Sequence, residues 1–361
     1  YQRKSLLHFK PPCWCLCINR WNDATTGPKL PRIQERDHFG FVKMSLLICF
    51  SDASGFLSGA MASVYLTERF GFGKIFSALL QIGAYAMLVP AGPFPVICIV
   101  YCIIGFTLAI QAAQTTDFVV SLKKKFAAKM ELLHGIYGWG ALVSPLVATQ
   151  SSGSPRFRSH HFIISVGLAC TRHQRCKPVL PLSHMEEEGE TGNDADDSRS
   201  DKFMYMMRLK GVHFLSFFAL ICVGVEAMLG GWSVTYILEK RGGSLNPGVI
   251  SSGFFGVFIL HTGIMLGRVL LLWLNKNLVG RLTPVLPHSL EGTICLIPSL
   301  IENAVAVSVV GLLLGPMFPI LTNLPKWLMT GCAYNIAGVG QASSAVLPFL
   351  TGVLASKFEP S

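Results

Sequence analysis

Apolar residues in this chain gather into long runs parted by short polar turns, most clearly between Met44 and Leu133. Three runs stand there: Met44–Leu66, Ile75–Val89 and Val96–Val120. The first two are parted by Thr67-Glu68-Arg69-Phe70-Gly71-Phe72-Gly73-Lys74, the second and third by Pro90-Ala91-Gly92-Pro93-Phe94-Pro95. Lys123-Lys124-Lys125 and Lys129 follow the third. About 20 apolar residues at helical rise match the hydrocarbon thickness of a bilayer. Lipid offers the backbone no hydrogen-bond partners, so such runs are predicted to be helices. Basic residues occupy the first and third connections and are absent from the second, which predicts that both basic connections face the cytoplasm.

The pattern continues along the chain. A fourth run, Leu132–Gln150, contains Gly135, Gly138, Gly140 and Pro145, small residues that let membrane helices approach closely. The second half offers Gly211–Leu238, Val249–Leu274, Ala304–Leu324 and Met329–Ala355. Three stretches read as stubs. Residues 1–43 are interrupted by Lys10, Pro11, Pro12 and Arg20; Phe162–Cys170 is too short to cross alone; Thr283–Leu300 is spoiled by Pro284, Pro287, His288 and Glu291. Between the halves, Glu186-Glu187-Glu188-Gly189-Glu190 and Asp194-Ala195-Asp196-Asp197 lie among Gly, Ser and Asn, the composition of a connector that buries no core. The organisation expected is therefore an N-terminal transmembrane half at 1–170, an acidic cytoplasmic linker at 171–210 and a C-terminal transmembrane half at 211–361. The halves echo each other: Gly135 and Pro145 recur as Gly338 and Pro348, each displaced by 203 positions. Gly55-Phe56-Leu57-Ser58-Gly59 has a looser echo in Gly253-Phe254-Phe255-Gly256, and Gly105 faces Gly311. Two similar halves joined by a long connector describe one common transporter plan.

Composition agrees with this reading. The 361 residues are 51% hydrophobic and 14% charged, where a soluble domain carries about 25% charged residues. A net charge of +10 raises the question of nucleic acid, but the basic residues sit between apolar runs and form no stripe, so no nucleic-acid partner is expected. The eleven cysteines show neither metal-ligand spacing nor a small disulfide framework. Cys13, Cys15 and Cys17 allow acylation near the start, although buried or lipid-facing thiols suit the habit of cysteine better. The broken apolar stretch at the start does not read as a cleavable signal peptide. No His-Glu-x-x-His, Gly-x-Ser-x-Gly or phosphate-cradling glycine loop with lysine appears, so neither an enzyme nor a cofactor is expected. Ser159-His160-His161 reads as a solvated cluster in a connector, and no metal site is expected.

Several motifs together resemble the major facilitator superfamily, and within it the fucose-permease-like branch common in fungi. Residues 65–74 are similar to its signature loop between the second and third helices. Trp21-Asn22-Asp23-Ala24-Thr25-Thr26-Gly27-Pro28 resembles the first-helix motif of that branch. Gly230-Gly231-Trp232 with Glu239-Lys240-Arg241-Gly242-Gly243 resembles the seventh helix and its outer loop, Leu266-Gly267-Arg268 the eighth, and Gly315-Pro316-Met317-Phe318-Pro319 the tenth. The resemblance covers most of 20–150 and 205–358. It implies an all-α membrane bundle of two pseudo-symmetric halves. That family has twelve helices, so with eight good runs and three stubs several spans are expected to be shortened or missing. Residues 259–265 read as an insertion, and 155–185 as a replacement of the sixth helix.

Charged side chains inside a membrane face a bundle interior or an aqueous cavity. Asp52, Asp117 and His261 are weak candidates here: Asp52 has no counterpart in the family pattern, Asp117 sits near a helix end, and His261 falls in the apparent insertion. Gln111 and Gln114 share one helix face and, with Asn22, Asn335, Gln341 and the neutral partner Gln81, could hydrogen-bond a polar solute. Trp232 follows Glu226 closely enough to stack on a sugar face. The resemblance implies that Asp23 couples a proton gradient to the solute and that Glu68, Arg69, Lys74 and Arg268 serve gating; Glu226, a charge within the seventh run, is the second expected coupling carboxylate. The function expected is secondary active transport of a small polar solute, such as a sugar, coupled to protons. The expected setting is the lipid bilayer, by default the plasma membrane, with the protein monomeric. The alternatives are a truncated non-transporting scaffold or sensor, and a drug/proton antiporter.

Overall fold

The start of the chain, read above as a broken stub, is one helix, α1 (Gln2–Asp37), of 36 residues. The computed structural model describes residues 2–38, 40–49, 54–62, 73–90, 92–121, 126–152, 157–176, 208, 210–241, 257–274, 300–315 and 330–358. After α1 come α2 (Phe41–Cys49), the short helical segment α3 (54–62), α4 (Gly73–Leu88), α5 (Phe94–Ser121), α6 (Phe126–Ser152) and α7 (Phe157–Cys176). The second half contributes α8 (Lys210–Arg241), α9 (Ile259–Leu274), α10 (Leu300–Leu314) and α11 (Thr330–Phe358). Among the described residues every regular element is helical.

Two of the stubs are thus whole helices, and the reason is the same in both. A hydropathy reading penalises charge and proline, but α1 turns its described charges Arg20 and Lys29 and its prolines Pro12, Pro28 and Pro31 toward protein. Pro11, Pro12, Pro28 and Pro31 lie inside it, and a proline within a helix leaves a carbonyl without its donor. Inside a bundle, hydroxyls from the helix itself and from its neighbours can reach backbone oxygens. Thr25 and Ser144 both donate to the Trp21 carbonyl, joining α1 to α6. Lys29 is buried, with its ammonium 3.7 Å from the centroid of the Phe162 ring. Likewise α7 is 20 residues long, and the supposed connector cluster lies within it: His161 is buried and stacked on Trp21 at 5.7 Å and 14°. Cys13 and Cys15 are buried thiols. The third stub falls outside the described residues except for Leu300. The helix α7 continues through Cys176, into the stretch read as linker, and the acidic residues of 177–207 lie outside the described residues.

Pairings repeat between the halves. In the first, α1 packs along α6; in the second, α8 packs along α11. Pro145 lies inside α6 and Pro348 inside α11. In the first half, Gly55 and Gly59 of α3 press against the backbone of α5 at Cys102 and Phe106. In the second, Gly263 and Gly267 of α9 press against α10 at Ser308 and Leu312, while Gly311 meets Leu260 in return. A Cβ at any of these glycines would collide with main-chain atoms, so each crossing requires the missing side chain. Gly263 and Gly267 thus make the same kind of close crossing in the second half as Gly55 and Gly59 in the first, while the echo expected at 253–256 lies outside the described residues. The apparent insertion at 259–265 is an integral part of α9.

The halves meet where α1 packs on α8, α2 on α11 and α6 on α9. One apolar cluster runs through the first half from Leu30 and Phe41 to Tyr101 and Phe162, and takes in Trp232 of α8. A second joins Cys222, Leu260, Ile264 and Val310. Outside, large apolar side chains stand exposed on nearly every helix, Met61 at 80% and Phe214 at 71% among them. Exposed large apolar side chains on one helix after another suit a surface that faces lipid. Phe94–Thr115 and Lys210–Leu238 are long and apolar enough to cross a bilayer by themselves.

Candidate functional site

Four helices from both halves bring charged and polar residues to one place. Arg20 projects from α1 and forms an ion pair with Glu226 of α8. The same guanidinium lies 3.8 Å from Asp23, one turn along its own helix. From α6, Tyr137 donates its hydroxyl to Asp23 Oδ2 at 3.3 Å. The Tyr137 ring lies near two guanidiniums, Arg20 at 5.1 Å and Arg268 of α9 at 5.8 Å. Cations favour the electron-rich face of an aromatic ring, so Tyr137 tempers the repulsion between the two arginines. Arg268 is buried and donates from Nε to the Gly315 carbonyl at 3.3 Å. His261, also on α9, faces Arg20 Nη2 at 3.4 Å.

Each of these positions follows from the packing beneath it. Gly27 of α1 lies against the backbone of Gly230 on α8, so the two helices approach closely one to two turns beyond the charges. Gly138 of α6 makes room for Met265 and Arg268 of α9. Close helix approach shortens the gap that Arg20 must cross, and a long flexible cation can then bridge two helices.

Beside the charges runs a chain of neutral hydrogen bonds. Gln111 of α5 donates to Gln81 of α4 at 3.3 Å; Gln81 donates to Tyr85 at 3.0 Å; Tyr85 donates to Asn22 of α1 at 3.2 Å. Gln81, Tyr85 and Gln111 are all buried. Gln114, one turn on from Gln111, is buried as well, and its Oε1 accepts no hydrogen bond among the described residues.

The sequence-derived candidates thus divide. Asp23 and Glu226 come together through Arg20, and Asn22 and Gln111 join one network. Trp232 stands elsewhere: its indole N–H donates to the Pro348 carbonyl at 2.9 Å and its ring packs on Phe41 at 5.7 Å. Arg268 lies in the central cluster, against Tyr137 of the first half. Glu68 and Arg69 fall outside the described residues, as do the side chains of Lys74, Asn335 and Gln341. Arg20 and Tyr137 were not among the expected site residues, and His261 was among the weak candidates. The three-residue spacing of Arg20 and Asp23, which sets them on one helix face, was the available signal.

Comparison with known proteins places this geometry. No family profile matches the chain. It is similar to Bypass of stop codon protein 6 of Saccharomyces cerevisiae, 23% identical over 376 residues, covering 92% of this chain and 74% of that protein. Among solved structures, a bacterial homolog of the human lysosomal transporter Spinster, inward-facing and unoccupied, superposes with a TM-score of 0.74 at 12% identity, covering 97% of this chain and 82% of that one. The D-xylose-proton symporter follows at 0.70 and 11% identity, covering 98% and 90%. The nucleoside transporter NupG gives 0.70 at 9% identity, covering 99% and 92%. At these identities the likeness shows the fold alone: the chain has the all-helical bundle fold of these transporters, the fold that the sequence resemblance implies.

Proposed function

We propose that the chain is a secondary active carrier that moves a small polar, uncharged solute by alternating access, driven by protons. The observation that carries this reading is the Arg20, Asp23 and Glu226 cluster, built from both halves and centred on the α1–α8 contact. Charges within a membrane are costly and are retained where they act. Two carboxylates face two guanidiniums there, so the cluster as described is formally balanced and favours a neutral solute over an ion. Glu226 pairs with Arg20 across the halves while ionised. A proton on Glu226 would weaken that pair and leave Arg20 to Asp23, loosening α1 from α8. Release of the proton would restore the pair. The halves 1–170 and 211–361 would rock about this point, with 171–210 as their cytoplasmic tether. Gln114, with its unoccupied Oε1, is the polar group best placed among the glutamines to meet a hydroxyl. We also place the basic stretches 67–74 and 123–129 in the cytoplasm and the protein in the plasma membrane.

Reconstituted vesicles test the reading. Radiolabelled D-xylose and uridine serve as first probes, followed by a panel of other hexoses, pentoses and nucleosides. Accumulation should rise with an inward proton gradient, vanish when the gradient is collapsed, and fall sharply in Asp23→Asn and Glu226→Gln. Accumulation that ignores the gradient would remove the coupling; no accumulation of any probe would remove the uncharged-solute reading.

A further inference from the structure

His261 is buried on α9, and both of its ring nitrogens have partners of fixed polarity. Its Nδ1 lies 2.8 Å from the carbonyl oxygen of Val257, one turn earlier. Its Nε2 lies 3.4 Å from Arg20 Nη2. A carbonyl oxygen can only accept and a guanidinium can only donate. The ring must therefore carry its hydrogen on Nδ1 and keep a lone pair on Nε2. A proton added at Nε2 would turn that acceptor into a donor facing a cation. The other groups around the ring and its partner are Arg268 on α9, Tyr137 on α6, Glu226 on α8 and Asp23 on α1. Gly230 of α8 adds no side chain: a Cβ there would stand 3.9 Å from His261 Cε1.

We propose that His261 is a positioning residue whose Nε2 lone pair holds the Arg20 guanidinium between Asp23 and Glu226 and releases it on protonation. It is thus a second proton-sensitive control of the arginine, distinct from the carboxylates. Its role in transport rests on the carrier reading above; its contact with Arg20 does not.

Two measurements on the full chain decide the matter. In nanodiscs at neutral pH, nitrogen NMR of histidine-labelled protein should show a neutral ring protonated at Nδ1 whose signals vanish in His261→Gln. Its bare Nε2 resonance should move in Arg20→Gln while the other histidines stay put. A ring protonated at Nε2, a doubly protonated ring, or indifference to Arg20→Gln would overturn the proposal. In vesicles, using whichever of D-xylose and uridine the wild type accumulates, His261→Gln keeps an acceptor at the reach of Nε2 and should retain uptake. It should also flatten the pH profile, because an amide takes no proton. His261→Asn reaches only as far as Nδ1 and should lose about tenfold or more, as should His261→Leu. Equal losses in all three would mark the residue as packing alone. If the wild type accumulates neither probe, the carrier reading suffers, and the NMR result still judges the contact.

Discussion

Arg20 on α1 and Glu226 on α8 form an ion pair with side chains only 14% and 18% exposed, so the contact between the two halves includes a mostly desolvated charge pair. Removing the cation from such a cluster leaves buried charge uncompensated, at a cost of about 3–5 kcal/mol. Arg20→Met takes the cation from both Asp23 and Glu226 and should lower the apparent Tm of the detergent-purified protein strongly. Glu226→Leu leaves Arg20 paired with Asp23 and should cost less, while abolishing gradient-driven uptake. Equal losses in the two variants would mean that Arg20 does not join both carboxylates as described.

The sequence made the bundle legible because lipid imposes long apolar helices, and Phe94–Ser121 and Lys210–Arg241 declare themselves on that ground alone. It concealed α1 and α7 because hydropathy averages over a whole helix and cannot see which way a charge points. Arg20 and Lys29 count against a span when read along the chain, yet in the fold they face protein. His261 was discounted as part of an insertion, although Gly263 and Gly267 just beyond it already had the spacing of a close helix crossing. Asp23 and Glu226 were recognisable as charges within spans. That one arginine joins them depends on the approach of α1 to α8, which no local pattern encodes.

Gln111 was expected to meet solute, and the structure instead has it donating to Gln81 in a chain that ends at Asn22. Gln111→Leu leaves the Gln81 oxygen without this donor, which costs about 1–3 kcal/mol when the orphaned group is buried. The apparent Tm should fall accordingly. Gln114→Leu removes a group whose oxygen has no described partner, so it should leave stability nearly unchanged and raise the KM for uptake. A reversed pattern, with Gln111→Leu affecting KM and not Tm, would return Gln111 to the solute site.

Gly27 touches the backbone of Gly230 across the two halves, and no side chain fits between them. Gly27→Val should therefore force α1 and α8 apart at that end of the bundle. Spin labels at Val42→Cys and Tyr236→Cys, both on exposed positions, offer a distance that reports the opening. The substituted protein should shift that distance distribution to longer values and, on the proposed carrier reading, slow uptake. An unchanged distribution in a folded Gly27→Val protein would show that the approach of the two helices is not a closed contact.

Trp232 provides the sharpest separation of a structural aromatic from a solute-stacking one. Its N–H donates to the Pro348 carbonyl at 2.9 Å, and its ring rests on Phe41 at 5.7 Å, so one side chain of α8 ties together α11 and α2. Trp232→Phe keeps an aromatic ring and deletes the donor. The net worth of such a hydrogen bond is about 0.5–1.5 kcal/mol, so the variant should lose that much stability while its KM for an accepted solute stays near the wild-type value. If the indole instead lay against a sugar, the phenyl ring would preserve stability and weaken binding. Parallel measurement of thermal unfolding and of uptake at several solute concentrations separates the two, because the first role moves Tm alone and the second moves KM alone.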